Sequence, residues 1–138
     1  MSLEVETLSP LLMWAGISTF RLCSVFFSMV SNTTKQAPPL KRMRDLDAIA
    51  REQAKMMASE QMLFHAEPVA IQEQLGRECG RRIGENVTKG TDLHAIHSKM
   101  MTTLADKNNI MDRRFTWMGV GTAKASDGTL YLCQIFSD

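Results

Sequence analysis

The sequence predicts an α+β fold: a three-layer α-β-α sandwich whose small antiparallel sheet ends in a C-terminal hairpin. Three observations carry this expectation. Apolar residues recur at helical spacing around residues 45–63 and again around 93–104. Two strand-like segments, 115–123 and 129–136, are joined by Ser126-Asp127-Gly128, a hairpin signal. The last strand is apolar on both faces, with Leu130, Leu132, Gln134 and Phe136 on one side and Tyr131, Cys133 and Ile135 on the other. A strand buried on both faces belongs to a sheet covered by helices on both sides.

The chain starts with a segment of a different character. Residues 11–30 form a mostly apolar run interrupted by Arg21. Twenty residues can span a bilayer. Glu4 and Glu6 stand where a signal peptide carries basic residues, and an arginine at mid-span costs about 2.5–3.5 kcal/mol. A signal or anchor segment, a buried first helix and an extension that folds apart from the domain all stay open at this point. Residues 31–40 are polar and contain Pro38-Pro39, a linker composition. The chain therefore divides into an amino-terminal segment and linker, 1–37, and a domain, 38–138.

Within the domain, Leu46, Ile49, Ala50, Ala54 and Met57 mark the apolar side of the first helix, and Pro68 forbids its continuation. Pro68 suits the first turn of a short helix that Gly76 ends. Residues 79–89 read as a loop punctuated by Gly80 and Gly84. Thr91 or Asp92 caps the next helix, whose inner face carries Leu93, Ile96, His97, Met100 and Leu104. Residues 106–112 are polar and read as irregular, with Ile110 and Met111 turned inward.

Composition narrows the function classes. The chain has 138 residues, enough for one domain, and 44% are hydrophobic, enough for a core. Sixteen basic and 15 acidic residues leave a net charge of +1, which supplies no electrostatic footprint for nucleic acid. Three cysteines, Cys23, Cys79 and Cys133, are too few for a disulfide framework, and Cys79–Cys133 is the one pair within the domain. Ser59 and Ser98 lack a glycine-framed nucleophile elbow, and no phosphate loop or dinucleotide fingerprint occurs. His94 and His97, three apart on a helix, share a face at a spacing that suits a metal and equally suits ordinary surface histidines. Asn32-Thr33-Thr34 and Asn86-Val87-Thr88 spell glycosylation sequons. Among 11 methionines, Met56, Met57, Met100 and Met101 sit on the helices, where they fill a core or line an adaptable groove.

Four groups of residues then fall in a familiar order. Ala50-Arg51-Glu52-Gln53-Ala54 is followed by Met57-Ala58 and Phe64-His65. Gly84-Glu85-Asn86-Val87 comes next. Asn109-Ile110-Met111, Phe115 and Met118-Gly119-Val120-Gly121 follow, and Asp127-Gly128 leads through Tyr131, Gln134 and Phe136 to the end. Over residues 38–136 the chain resembles the CAP superfamily of cysteine-rich secretory, antigen 5 and pathogenesis-related-one proteins, in its short microbial-type branch. Two features depart from that pattern. Asp106 stands where the family usually has a second histidine, and residues 11–37 lack the family's first-helix pattern.

The resemblance implies an extracellular or membrane-attached protein, with residues 11–30 as the means of any membrane association. It implies a central cleft built from His65, Glu85, Asn86 and Asp106. It also implies a divalent metal such as zinc, for which His65, Glu85 and Asp106 are the ligands by position. Two functions follow. One is a non-enzymatic binding module with a central cleft for a lipid, sterol, glycan or protein, its partner a small apolar ligand or a protein. The other is a metal-dependent hydrolase in which Glu85 and His65 work on a metal-bound water. For Asn86, the resemblance implies an amide that ties backbone together and carries no glycan.

Overall fold

The structure, a computed structural model, describes Phe27, Val30, residues 40–76 and residues 82–138. The segment 11–30 apart from those two residues, the Asn32 sequon, Cys23 and Cys79 lie outside the described residues.

The described chain runs β1 (Lys41–Arg42), α1 (Arg44–Glu60), α2 (Pro68–Leu75), β2 (Ile83–Gly90), α3 (Leu93–Thr102), α4 (Leu104–Met111), β3 (Trp117–Lys124) and β4 (Leu130–Ser137). The sheet order is β1-β3-β4-β2. The three long strands are antiparallel, and the two-residue β1 adds a parallel edge beside Trp117 and Met118. The fold is thus the α+β sandwich the sequence predicts, with a mixed sheet rather than a purely antiparallel one.

β4 is central, and every residue from Leu130 to Ser137 is buried. Its alternation sorts the core into two layers. Leu130, Leu132 and Phe136 join Met118, Val120, Leu93, Ile96, Met100 and Ile110 under α3 and α4. Tyr131, Cys133 and Ile135 join Leu46, Ala50, Ala54, Met57 and Ile71 under α1 and α2. Burying each large apolar side chain contributes about 1.5–3 kcal/mol, so these two layers supply most of the driving force. Met57 and Met100 are core, Met101 packs at its margin and Met56 is exposed. Val30 is fully buried in the α3/α4 layer, with Phe27 packed against it. The end of the amino-terminal apolar run therefore contributes to the domain's core. Among the described residues no helix is long and apolar enough to cross a membrane.

Helix α1 lies unusually close to β3. A Cβ placed on Gly119 would stand 2.3 Å from the Leu46 carbonyl carbon, and one on Gly121 would stand 2.1 Å from Arg51 N. Side-chain-free positions in the strand let the helix backbone rest on the sheet. At its first turn α1 is anchored by Asp47. The Asp47 carboxylate accepts from Val120 N at 2.9 Å and from Arg42 Nε at 2.8 Å. Val120 lies just past the last residue paired with β1, so Asp47 supplies an acceptor where the short edge strand has ended.

Two segments differ from the sequence expectation. Residues 83–90 form strand β2 rather than a loop, and 104–111 form helix α4 rather than an irregular stretch. The polar run Glu85-Asn86 masks the alternation in β2, and the polar residues of α4 mask its period. Both are held by tertiary hydrogen bonds instead of by a strong apolar pattern. Asp92 is the cap of α3, accepting from Ala95 N at 2.8 Å.

Two outcomes follow from this packing. Gly121→Ala forces a methyl into the α1 backbone and should cost about 3 kcal/mol, read from urea unfolding midpoints. Val30→Ala should cost about 2 kcal/mol in the same assay if the amino-terminal run is part of the folded core; an unchanged midpoint would place it outside the cooperative unit.

Candidate functional site

Strand β2 forms the far edge of the sheet, and its residues alternate between the two helical layers. Glu85 lies with Ile83 and Val87 on the α1/α2 side, where those two pack against the core. Asn86 lies on the α3/α4 side, where it meets Gln134 and α4. Gly84 completes the motif. A Cβ there would stand 2.8 Å from the Phe115 ring, which itself stacks on Phe136 with centroids 5.4 Å apart.

Glu85 is an acceptor for three groups. Its Oε1 is 2.9 Å from Ala66 N and 2.8 Å from His65 Nδ1, and its Oε2 is 3.4 Å from Cys133 Sγ. An imidazole carrying its proton on Nδ1 donates to this carboxylate. The pair is lopsided in exposure: the Glu85 side chain is 6% exposed and that of His65 is 63% exposed. Glu85 thus serves as an interior staple that draws the connection between α1 and α2 onto the sheet edge. Gln53, buried on α1, holds the same connection from the other side by donating to Phe64 O at 2.7 Å. Cys133 is a free, buried thiol. Burial, and then the adjacent Glu85 carboxylate, push it well above the ordinary thiol range, so it is a hydrogen-bond donor and a poor nucleophile.

Asn86 is fully buried and its amide is spent within the fold. Nδ2 donates to Asp106 O and to Gln134 Oε1, each at 3.0 Å. Oδ1 accepts from Asn109 Nδ2 at 2.8 Å, and the same nitrogen reaches Glu85 O at 3.3 Å. Gln134 Nε2 in turn contacts Met118 Sδ at 3.0 Å. This network ties β2 to α4, β4 and β3. It leaves no room for a glycan on Asn86.

Asp106 sits in the first turn of α4, and its backbone, not its side chain, meets Asn86. Its carboxyl is close enough to His65 to feel its charge. The four expected cleft residues therefore gather around one sheet edge. His65 and Glu85 touch on one side, and Asn86 meets Asp106 on the other. His94 is exposed and His97 is half-buried on α3, where burial and then the His94 charge hold His97 below its usual pKa.

The metal expected of His65, Glu85 and Asp106 does not fit this arrangement. Among the described residues no three His, Cys, Asp or Glu side chains form a group able to hold a metal ion. Both Glu85 oxygens are already bonded to protein donors. Alternation along β2 sets Glu85 on the face opposite Asn86, while α4 is tied to Asn86. An aspartate has a shorter reach than the histidine it replaces.

An open groove lies beside His65, between α1, α2 and their connection. It encloses about 270 Å³ and is lined by Glu52, Met56, Phe64, His65, Glu67 and Ile71 among others. Of the expected cleft residues only His65 reaches it. The sequence reading missed Gln53, Asn109, Cys133 and Gln134 as site-builders. Gln134, alone among apolar residues on its strand face, was the available signal: a buried amide demands a partner.

A family model described as the cysteine-rich secretory protein family, CAP, matches residues 17–136. That match reaches into the amino-terminal apolar run. No curated protein matches by sequence. Among solved structures, an outer surface protein from Borrelia burgdorferi superposes with a TM-score of 0.80 at 15% identity, covering 88% of this chain and 96% of that one. An extracellular protein containing an SCP domain, from Bacillus anthracis, gives 0.71 at 19% identity, covering 86% of this chain and 41% of that one. A cysteine-rich secretory protein from Staphylococcus aureus gives 0.68 at 18% identity, with 88% and 40% covered. At these identities the likeness is one of fold.

Asp106 offers a test of the site's electrostatics. Burial raises its carboxyl above the ordinary 3.8, while the charges of His65 and Lys99 pull the other way. A carboxyl whose folded-state pKa is raised withdraws stability on ionising. The loss begins as pH climbs past the unfolded pKa and is complete above the folded one. Asp106→Asn should thus be more stable than the parent at about pH 7 and equal to it at about pH 3 in matched urea melts.

Proposed function

The chain belongs to the cysteine-rich secretory protein family, CAP, and from that premise we propose that it is an extracellular module that acts by binding and not by catalysis. The carrying observation is that both oxygens of Glu85 are engaged by protein donors. A metal-assisted hydrolase needs a carboxylate free to hold and deprotonate a water. Here Ala66 N, His65 and Cys133 already occupy that carboxylate. The other buried polar groups of the site, Asn86, Asn109 and Gln134, are likewise engaged with one another. What faces solvent beside His65 is a preformed groove. Such a site positions a surface for a small apolar ligand or a protein more readily than it performs proton transfer.

Two neighbours in fold, described as an outer surface protein of Borrelia burgdorferi and an extracellular protein of Bacillus anthracis, support the placement outside the cell. Asp106, standing where the family usually has a second histidine, removes a ligand that zinc favours and so favours binding over metal-assisted hydrolysis.

Isothermal calorimetry with zinc and with manganese tests the reading. The wild-type protein and His65→Ala should give the same negligible heat. Stoichiometric binding by wild type that disappears in His65→Ala would restore the metal-dependent enzyme.

A further inference from the structure

We propose that the groove between α1 and α2 receives a lysine or arginine side chain from an extended segment of a protein partner. This rests on the reading of the domain as a binding module, and it names a partner class and a place.

Three observations converge on that chemistry. First, charge: Glu52 and Glu67 line the groove, and its lining among the described residues contains no lysine or arginine. Lys55 does pair with Glu52 at 3.1 Å, but both side chains are exposed, and such pairs are weak and easily exchanged. Glu67 stands exposed at the N-cap of α2, where its carboxylate makes no side-chain capping bond. Among the described lining residues His65 alone can carry positive charge, and it leans on Glu85. Second, the apolar part: Met56, Phe64 and Ile71 form a surface for an aliphatic stem. Lysine and arginine bury such stems while keeping their charged heads in polar surroundings. Third, size: about 270 Å³ is below the roughly 300–1,000 Å³ that encloses a drug-sized ligand, and suits one or two side chains.

The groove is also held open in advance. Gln53 fixes Phe64 O and Glu85 fixes Ala66 N, so the connecting segment is pinned on both sides. A preformed wall lowers the ordering cost of binding. Met56, Met62 and Val69 are 49%, 53% and 63% exposed. Met56 lines the groove itself and offers exposed apolar surface to residues flanking the basic one. Adaptable methionine surface accommodates varied flanks.

The test uses the full chain and two fluorescein-labelled peptides, Ala-Leu-Arg-Leu-Ala and its twin with Glu replacing Arg, followed by fluorescence anisotropy. The arginine peptide should bind, should weaken as salt rises, and should bind Glu67→Lys at least about tenfold more weakly. The glutamate twin should not bind. Glu67 is exposed, so thermal melts should show an unchanged fold in the variant; Glu67→Gln, with an intermediate loss, covers the case in which they do not. Equal binding of both peptides, no binding of either, or indifference to Glu67→Lys and Glu67→Gln overturns the groove assignment and leaves the binding-module reading standing. Mass spectrometry of the recovered peptide separates the two: cleavage would sink the binding-module reading itself.

Discussion

The close seating of α1 on β3 sets most of the remaining geometry. Gly119 and Gly121 let the helix backbone approach to a distance that any side chain would block. Asp47 then fixes the start of the helix through Val120 N and Arg42. With the height and start of α1 settled, Gln53 faces the connection that leaves the helix and holds Phe64 O. His65 and Ala66 are thereby delivered to Glu85. The α1/α2 groove is the space left when a helix so close to the sheet turns into a shorter one beside it.

The edge strand β2 applies the same economy to both faces. Gly84 yields room to Phe115, Glu85 draws in the α1–α2 connection, and Asn86 gathers α4 and Gln134. Three consecutive residues thus serve three different neighbours, because alternation aims them to opposite sides. Polar side chains at such positions are demanding: each must be fully bonded, or its burial costs about 1–3 kcal/mol. The site's polarity is therefore spent on joining elements. Chemistry that needs an unengaged carboxylate has none to use at Glu85, and recognition passes to the adjoining surface.

Much of this was legible in the chain. The helical period of Leu46, Ala50, Ala54 and Met57 marked α1, Pro68 and Gly76 bracketed α2, and the Ser126-Asp127-Gly128 turn set the hairpin. The two-faced pattern of the last strand foretold both core layers. His65 and Glu85, twenty positions apart, lie in hydrogen-bond contact. β2 and α4 were not legible, since their stability lies in contacts with residues tens of positions away: Asn86 with Gln134, and Asn109 with Glu85 and Asn86. The cleft was only partly legible, because residue type announces that a carboxylate is present but not what already holds it.

The amino-acid sequence by itself determined the class of fold and the order of most of its elements. Periodicity, turn chemistry and a motif in order are local properties, readable along one dimension. Only the tertiary structure decided that both Glu85 oxygens are engaged by protein donors, that Asn86 is sealed inside, that Val30 belongs to the core and that an acidic groove opens beside His65. Those facts depend on which donors and which surfaces distant segments bring together. That is a matter of packing in three dimensions, to which spacing along the chain is blind.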